Sequence, residues 1–397
     1  MEFSLNNEQQ QLKDSLERYL AKSYTFDMRR KLLHADTSAK SSHWATFAEF
    51  GLLGIGIAEE FGGMGATSNL GGTGAAAEDS MLVMECLGRN LVLEPYLTSV
   101  VVAGSVLQAG ANTSTNAATK TRCAHILGNI VGGATTVALA THERQGRYKL
   151  SHVATTATQN GAHFVLSGTK AVAIQADTAD ILIISARTSG DVGDTDGISL
   201  FIVDANADGL SRRGYATNDG QRAADITLTN VAVPSEALIC ASGSAYAAIE
   251  CAIDAGIAAL CAEAVGAMDA LIAQTLDYLK SRKQFGVAIG SFQALQHKMV
   301  DMFIAAEQAR SMAILAALKI ASTDATERHR TIVAAKSLVG QSARLVAQQA
   351  VQLHGGMGVT DELPISHYFK RLTAIDMTWG DANYHRTQLG AMLAVAA

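Results

Sequence analysis

Proline, charge and closely spaced cysteines are all scarce in this sequence. Only three prolines occur among 397 residues, so long uninterrupted helices are permitted. Charged residues make up 17%, and 37 acidic residues outnumber 31 basic ones, so the formal net charge of −6 provides no basic field for nucleic acid. The five cysteines form no Cys-x-x-Cys pair, and their number is odd. We therefore expect reduced thiols in a cytoplasmic protein and not a disulfide framework.

Several sequence signatures of chemistry are also absent. There is no His-Glu-x-x-His motif, no Cys/His cluster at ligand spacing and no Gly-x-Ser-x-Gly motif, so we expect neither a metal centre nor a serine nucleophile elbow. No apolar run approaches the roughly 20 residues that span a bilayer, and we expect no membrane span. Residues 1–20 have the pattern of an amphipathic helix and not of a signal peptide.

The sequence is long and rich in apolar residues. Hydrophobic residues make up 48% and the mean hydropathy is +0.15, enough for two or three domains with a sizeable core. Apolar residues recur at helical spacing over residues 1–125, alternate in short β-rich runs over 126–240, and return to helical spacing over 241–397. The sequence predicts an α+β protein with an N-terminal helical domain, a middle antiparallel β domain and a C-terminal domain like a four-helix bundle. Two long antiparallel helices should follow the β domain.

Three blocks of sequence contain specific motifs. The first is GLLGIGIAEEFGGMG (51–65), followed by MLVMECLGR (81–89). The second, SRKQFGVAIGSFQALQHKMVDM (281–302), contains an Arg-x-x-Phe-Gly turn and then a Phe-Gln pair. The third, QLHGGMGVTDELPISHYFKR (352–371), contains Gln-x-x-Gly-Gly-x-Gly. In this order and spacing the blocks resemble the acyl-CoA dehydrogenase family, and the resemblance covers essentially the whole chain.

The resemblance implies FAD as the cofactor. FAD carries a pyrophosphate and an adenine, so it needs cationic and backbone donors and an apolar stacking surface. Arg282 offers a charge, Phe285 an aromatic face and Gln293 an amide, and Gly355 and Gly356 let backbone N–H groups approach phosphates. In the family, these positions grip the FAD that the neighbouring subunit mainly holds. The expected cofactor-binding residues are Arg282, Phe285, Gln293, Gln352, Leu353, His354, Gly355 and Gly356.

The catalytic base of the family has no counterpart here. The family removes an α-proton with a glutamate while the flavin takes the β-hydrogen as hydride. The resemblance places that glutamate at Trp379 or, in other members, at Gly256, and neither residue accepts a proton. Two carboxylates are alternatives. Glu263 lies on the same helix face as Gly256 in an apolar run, so it is either paired or raised in pKa. Asp381 is either a base or a helix N-terminal charge, whereas Asp254 should point roughly opposite.

The middle domain also departs from the family. The family's Thr-Glu-Pro…Gly-Ser stretch along the flavin corresponds to THERQGRYKL (141–150), which keeps Thr141 but has neither the proline nor the serine. Its Trp-Ile-Thr-Asn run corresponds to residues 172–175, which are Val172, Ala173, Ile174 and Gln175. Residues that touch flavin and substrate within one subunit are therefore mostly lost. Those that reach a neighbour's FAD are mostly kept.

Three functions stay open on this reasoning. The chain is most similar to small subunits of heteromeric, pimeloyl-CoA dehydrogenase-like members, so a larger acyl-CoA dehydrogenase subunit would supply the base. We then expect α,β-dehydrogenation of an acyl-CoA thioester, in fatty acid or steroid side-chain degradation, by a homo- or hetero-tetramer with electron-transfer flavoprotein as acceptor. A self-sufficient dehydrogenase using Glu263 or Asp381 as base is the second possibility. A flavin-free binding or scaffold subunit is the third.

Overall fold

The N-terminal part of the chain is helical. The computed structural model describes residues 5–35, 41–65 and 74–396. A π-helical segment, Tyr96–Ala103, leads into the fifth helix. The sixth helix crosses the boundary expected at residue 125. The helices are α1 (Asn7–Ser23), α2 (Phe26–Leu33), α3 (Ser42–Glu49), α4 (Gly74–Arg89), α5 (Gly104–Thr113) and α6 (Ala117–Val131).

The starts of these helices follow from local sequence. Asn6 and Gln9 form a capping box at α1, in which the Asn6 side chain accepts from the Gln9 backbone N–H and the Gln9 side chain accepts in return. Thr25 caps α2 and Asn116 caps α6 in the same way, each accepting from a backbone N–H of the first turn. Short polar residues therefore set where each helix begins.

The middle of the chain forms one seven-stranded sheet in the order β1-β4-β2-β3-β7-β6, with β5 paired to β4. Most neighbours are antiparallel, as predicted. The β1–β4 pair and the single β2–β4 bridge are parallel. Between β1 and β4 the chain forms the β2–β3 hairpin, and it then enters β4 in the same direction as β1. The strands are β1 (Val137–Ala140), β2 (Thr156–Asn160), β3 (His163–Ile174), β4 (Ile181–Arg187), β5 (Ile198–Asp204), β6 (Leu210–Ala216) and β7 (Arg222–Pro234).

The C-terminal part contains three long helices where two were predicted. The third, α9, begins at an effective cap, since the Asp324 carboxylate accepts from the backbone N–H groups of Thr326 and Glu327. A small hairpin of β8 (Lys283–Gln284) and β9 (Val287–Ala288) joins the first two. The helices are α7 (Tyr246–Ser281), α8 (Gln293–Lys319), α9 (Ala325–His354), α10 (Pro364–Met377) and α11 (Ala382–Ala396).

Helices α4 and α7 cross with their backbones in contact. A Cβ at Gly88 would collide with the carbonyl oxygen of Glu263, and a Cβ at Gly266 would collide with that of Glu85. Only glycine permits so close an approach from both sides. The crossing locks the N-terminal helices onto the C-terminal bundle, and one continuous apolar core runs through all three parts of the chain.

Helix α7 corrects the expectation that no stretch is long and apolar enough to span a membrane. Within the described part of the chain it is the one helix that passes this test, over 36 residues. However, 83% of its most apolar window is buried inside the protein, as in a core helix. Its apolar residues are therefore accounted for by packing against α4, α8 and α9.

Candidate active site

A cavity of about 520 Å³ lies between the sheet and the C-terminal helices. Its size is in the range of pockets for small-molecule ligands. The sheet side contributes Thr141 and Ile174, and the helical side contributes Ile257 of α7, Val333 of α9 and Trp379 after α10. The cavity therefore contains both the middle-domain segments and the base position identified in the sequence.

The two positions at which the sequence resemblance places a catalytic base are in direct contact. The indole of Trp379 lies against Gly256 so closely that a Cβ on Gly256 would sit 2.6 Å from Cζ3 and 2.8 Å from Cη2 of the indole. The same Cβ would be 2.9 Å from Val102 in the π-helical segment. One position is thus filled by an indole and the other is restricted to glycine by that indole. Neither contributes a group that can accept a proton.

Glu263 is paired. Its two carboxylate oxygens accept from Nε and Nη2 of Arg371 at 2.6 and 2.7 Å. Nη1 of Arg371 also donates to the Asp219 carboxylate at 2.7 Å. Burial alone lowers the pKa of Arg371, but Glu263 and Asp219 outweigh burial and hold that pKa above its ordinary value. A carboxylate held by a bidentate guanidinium in this way is committed to structure, which weakens the case for Glu263 as a base.

Arg371 belongs to a network that joins all three parts of the chain. Asp219 lies in the turn between β6 and β7, and Arg29 of α2 donates to the Asp219 carbonyl at 2.8 Å. Arg29 also bonds His367 Nδ1 of α10 at 2.9 Å. The network is buried, and Arg371 is paired with two carboxylates. The Arg29 guanidinium is held by hydrogen bonds to the Leu91 and Asp219 carbonyls and to His367.

Asp381 caps the last helix. Its side chain accepts from the backbone N–H of Tyr384 at 2.8 Å at the start of α11. Carboxylates at this position stabilise a helix through its unpaired N–H groups and its dipole. The structure thus places Asp381 in the capping role that the sequence offered as the alternative to a base.

A histidine–aspartate pair that sequence reasoning missed also lines the cavity. Nδ1 of His329 on α9 donates to Oδ1 of Asp254 on α7 at 2.8 Å, and Arg328 approaches the other oxygen at 3.4 Å. Asp254 is 1% exposed. Its hydrogen bond raises the pKa of His329. Nε2 of His329 has no hydrogen-bond partner among the described residues. The pair is 75 residues apart in sequence, and no local motif signals it.

On the sheet side the backbone is irregular where the sequence departs from the family. Val172 has a φ of 50° and lies at a register shift in the β3–β7 pairing. Its neighbour Lys170 is fully buried and donates to Glu143 at 2.7 Å and to Ser185 at 3.0 Å. Burial lowers the pKa of Lys170 to about 8, although Glu143 opposes this shift. Val172 and Ile174 present only hydrocarbon to the cavity.

The eight expected cofactor residues lie together at one end of the C-terminal helices, outside this cavity. The ring of Tyr278 near the end of α7 stacks on His354 at the end of α9, with centroids 4.4 Å apart, so the Arg282 turn and the Gly355 turn are neighbours. Phe285 is 91% exposed. At Gly355 and Gly356 an added Cβ would meet nothing within 4 Å.

These exposed residues suit a dinucleotide. An exposed guanidinium, an exposed aromatic face and two glycines with open space above them provide charge, stacking surface and backbone approach. Leu353 and His354 of the predicted set are buried, and His354 bonds the Ala350 carbonyl at 2.9 Å. These two residues therefore support the turn from within.

Comparison with known families identifies the chain. The acyl-CoA dehydrogenase N-terminal, middle and C-terminal domains match residues 6–133, 138–231 and 245–394. The chain belongs to the acyl-CoA dehydrogenase family. FAD is the cofactor of this family, and the three-part order predicted from the sequence is that of its fold.

Individual acyl-CoA dehydrogenase relatives align over most of the chain. The caffeyl-CoA reductase–Etf complex subunit CarC of Acetobacterium woodii is 26% identical over 87% of this chain and 88% of its own length. A variant of the Tcur3481–Tcur3483 steroid ACAD is 27% identical, covers 99% of each chain and has a TM-score of 0.83. The ChsE4–ChsE5 complex from Mycobacterium tuberculosis shares the fold at a TM-score of 0.84, with 22% identity over 99% of each chain.

No described group of three or more His, Cys, Asp or Glu side chains is placed to hold a metal ion.

The cysteines are dispersed, and burial raises the thiol pKa of the innermost, Cys261, to about 12. A thiol in this state is a poor nucleophile.

Proposed function

We propose that this chain is the subunit without a base in a heteromeric, FAD-dependent acyl-CoA dehydrogenase. In this assembly, a larger acyl-CoA dehydrogenase subunit carries the glutamate and the flavin-ring contacts. This chain supplies contacts to the adenine and pyrophosphate of the FAD in that partner. The reaction is α,β-dehydrogenation of an acyl-CoA thioester, for which FAD supplies hydride acceptance, and electron-transfer flavoprotein is the acceptor.

One observation supports this proposal above all others. The two base positions are occupied by Trp379 and Gly256, while the exposed residues suited to a dinucleotide lie outside the chain's own cavity. The chain therefore presents groups that suit a neighbour's cofactor and has no carboxylate at either position of the family's base. The names of Tcur3481–Tcur3483 and ChsE4–ChsE5, which pair two different chains, and of CarC, an Etf-complex subunit, agree with such an assembly.

The residues that act are those of the surface turns. Arg282 places a fixed positive charge beside phosphates, and Gln293 offers an amide at the start of α8. The backbone N–H groups around Gly355 and Gly356 stand open to approach. Exposed apolar side chains of α8, including Phe303 and Ile304, suit a tetrameric contact.

A self-sufficient dehydrogenase remains the second candidate, but with a different base from the two suggested by sequence. Glu263 is bound to Arg371 and Asp381 caps α11. His329, oriented by Asp254 and facing the cavity, has the geometry of a proton acceptor. The flavin-free scaffold is the third candidate.

A visible spectrum separates the three candidates. The chain is purified alone and after co-expression with the product of the adjacent gene. Bound flavin only in the complex supports the proposal. Bound flavin and turnover in the isolated chain support the second candidate, and absence of flavin from both samples supports the third.

Arg282→Ala tests the residue-level proposal in the complex. Loss of a charge-assisted phosphate contact is worth about 1.5–3 kcal/mol, so we expect roughly tenfold to hundredfold weaker flavin retention after dialysis, with little change in thermal stability. Arg330→Ala is the matched control, since Arg330 is an equally exposed arginine near the opposite end of α9. Unchanged flavin content in Arg282→Ala would contradict the role.

A further inference from the structure

The Gly355 turn, residues 355–361, is joined to the protein interior through His367. This histidine lies in the first turn of α10 and is 5% exposed. Its Nε2 donates to the carbonyl of Asp361, the last residue of the Gly355 turn, at 3.1 Å. Its Nδ1 accepts from the buried Arg29 guanidinium of α2 at 2.9 Å. The imidazole therefore stands between the surface turn and the buried network that Arg29 shares with Asp219.

These two partners fix the protonation state of His367. A guanidinium only donates hydrogen bonds, so Nδ1 must present its lone pair to Arg29. A carbonyl only accepts, so Nε2 must carry the proton that faces Asp361. The imidazole is therefore neutral, with its one proton on Nε2, for as long as both bonds exist.

A second proton on His367 is incompatible with the contact to Arg29. An N–H at Nδ1 would face the N–H groups of the guanidinium, and two cations would meet where Arg29 is only 1% exposed. Burial leaves such a repulsion unscreened. Arg29 is held in place, because its Nε and Nη2 donate to the carbonyls of Leu91 and Asp219 at 2.8 Å each. The displacement therefore falls on His367 and on the turn that it contacts.

The other charged groups around His367 act in both directions. Burial lowers the pKa of His367, and Arg29 and Lys370 of α10 lower it further. Asp361 opposes this shift, but its side chain is 70% exposed and is already paired with Lys370 at 3.1 Å. With a lowered folded pKa, His367 is neutral above its ordinary pKa of about 6.5, and the bond to Arg29 is lost as the pH falls through the folded value.

We propose that His367 is a positioning residue that anchors the Gly355 turn on Arg29 and releases it when Nδ1 takes up a proton. For its consequence the inference rests on the proposed function, which assigns the Gly355 turn to a partner's FAD. Acidification then loosens the contact of this subunit with that cofactor.

Hydrogen exchange of the full-length chain, followed by mass spectrometry, tests the anchor without flavin. Exchange is measured at about pH 7.5 and about pH 5.5, on the two sides of the histidine range, and is corrected for the intrinsic effect of pH on amide exchange. Loss of a hydrogen bond to a charged group changes an equilibrium roughly tenfold or more. We therefore expect residues 355–371 to exchange roughly tenfold faster at the lower pH. Residues 181–204 of β4 and β5, which contain no histidine, are the internal reference and should not change.

Two substitutions separate anchoring from titration. His367→Asn places an amide oxygen close to the position of Nδ1, where it can accept from Arg29 and does not titrate, so exchange should be slow at both pH values. His367→Leu offers no acceptor, so exchange should be fast at both. If circular dichroism shows that His367→Leu is unfolded, the comparison of the wild type with His367→Asn decides.

Two results would overturn the inference. One is equal corrected exchange of residues 355–371 in the wild type at the two pH values. The other is a pH effect that persists in His367→Asn, because it would then come from another titratable group, such as His354 immediately before the turn.

Flavin retention by the co-expressed complex, at the same two pH values, reports separately on the proposed function. We expect the wild-type complex to lose flavin faster at the lower pH and the His367→Asn complex to show no such effect. If the isolated chain shows the pH-dependent anchor while both complexes retain flavin equally, the anchor stands and the assignment of the Gly355 turn to FAD is wrong.

Discussion

The contact between Trp379 and Gly256 predicts a large energetic coupling between the two residues. Glycine to alanine inside a helix normally stabilises by up to about 1 kcal/mol. Here the new methyl would stand 2.6–2.9 Å from Trp379 and Val102. Overpacking of this kind costs about 1–3 kcal/mol, and the rigid ring places it at the upper end. We expect Gly256→Ala to lower the free energy of unfolding by about 2 kcal/mol.

In the Trp379→Ala background the same change should act in the opposite direction. The ring that the methyl meets is gone and the Val102 side chain can move into the space it leaves, so we expect the helix propensity gain of about 0.5–1 kcal/mol to remain. The coupling energy is then about 2.5–3 kcal/mol. It is measured from urea unfolding of the wild type, the two single variants and the double variant, followed by far-ultraviolet circular dichroism. A coupling below about 0.5 kcal/mol would refute the argument that these two positions exclude each other.

Gly266→Ala is the control for this double-mutant cycle, because Gly266 lies on the same helix as Gly256. The atoms nearest to its methyl would be those of the Glu85 backbone, and none of the three nearest belongs to Trp379. We expect Gly266→Ala to destabilise equally with or without the Trp379 ring. Equal behaviour of Gly256 and Gly266 in the cycle would mean that the effect comes from α7 as a whole.

Two further predictions concern buried charge. Arg371→Leu leaves the carboxylates of Glu263 and Asp219 buried without their partner, and we expect a loss of about 3–5 kcal/mol in the free energy of unfolding by urea titration. His329 has a pKa raised by Asp254, so its contribution to stability is complete below its unfolded pKa of about 6.5 and is lost as the pH rises through the higher folded value. The stability difference between wild type and His329→Gln, measured at several pH values from 5.5 to 8.5 (roughly the histidine range), should therefore shrink as the pH rises.

Controls for these two variants come from neighbouring positions. Lys370→Leu removes a half-buried cation that pairs with the exposed Asp361, and it should cost no more than about 1 kcal/mol. A loss of similar size in Arg371→Leu would show that the network is not what holds Glu263. The control for His329→Gln is His163→Gln, measured over the same pH series, because it removes an exposed imidazole on β3 that has no ion pair in the described structure. A stability difference for His329→Gln that grows with pH would contradict the assigned direction.

Sequence periodicity predicted most of the fold, and its misses have clear causes. The β-rich runs that the sequence shows over 126–240 are five: TTVALATHE, FVLSGTKAVAI, ADILIISART, ISLFIVD and ADITLTNVAV. They correspond to β1, β3, β4, β5 and β7 in that order. Strands β2 and β6 were missed because their residues are mostly exposed and polar, as in Thr156–Asn160 and Leu210–Ala216. Such strands form because a neighbouring strand offers its backbone, which no local pattern reports.

The candidate site was likewise predicted only in part from the sequence. The cofactor residues lie within two short motifs, so their proximity in sequence signalled them, although their binding role stays a proposal. The partner of Glu263 is 108 residues away, and that of Asp254 is 75 residues away on another helix. Helical geometry placed Asp254 away from Gly256 but could not show that α9 would bring a histidine to it. Pairings of this kind depend on how helices pack.

The fit of an indole onto a bare helix backbone also constrains the order in which this sequence could have changed. A Cβ at 256 already meets the Trp379 ring at 2.6 Å, so any ancestor with a side chain as large as glutamate at 256 had to lose it before the indole could arrive. The reverse route is closed, because a carboxylate cannot return to 256 while the indole remains. The two positions form an epistatic pair. If a base once stood at position 256, no single substitution at 256 could restore it while Trp379 remains.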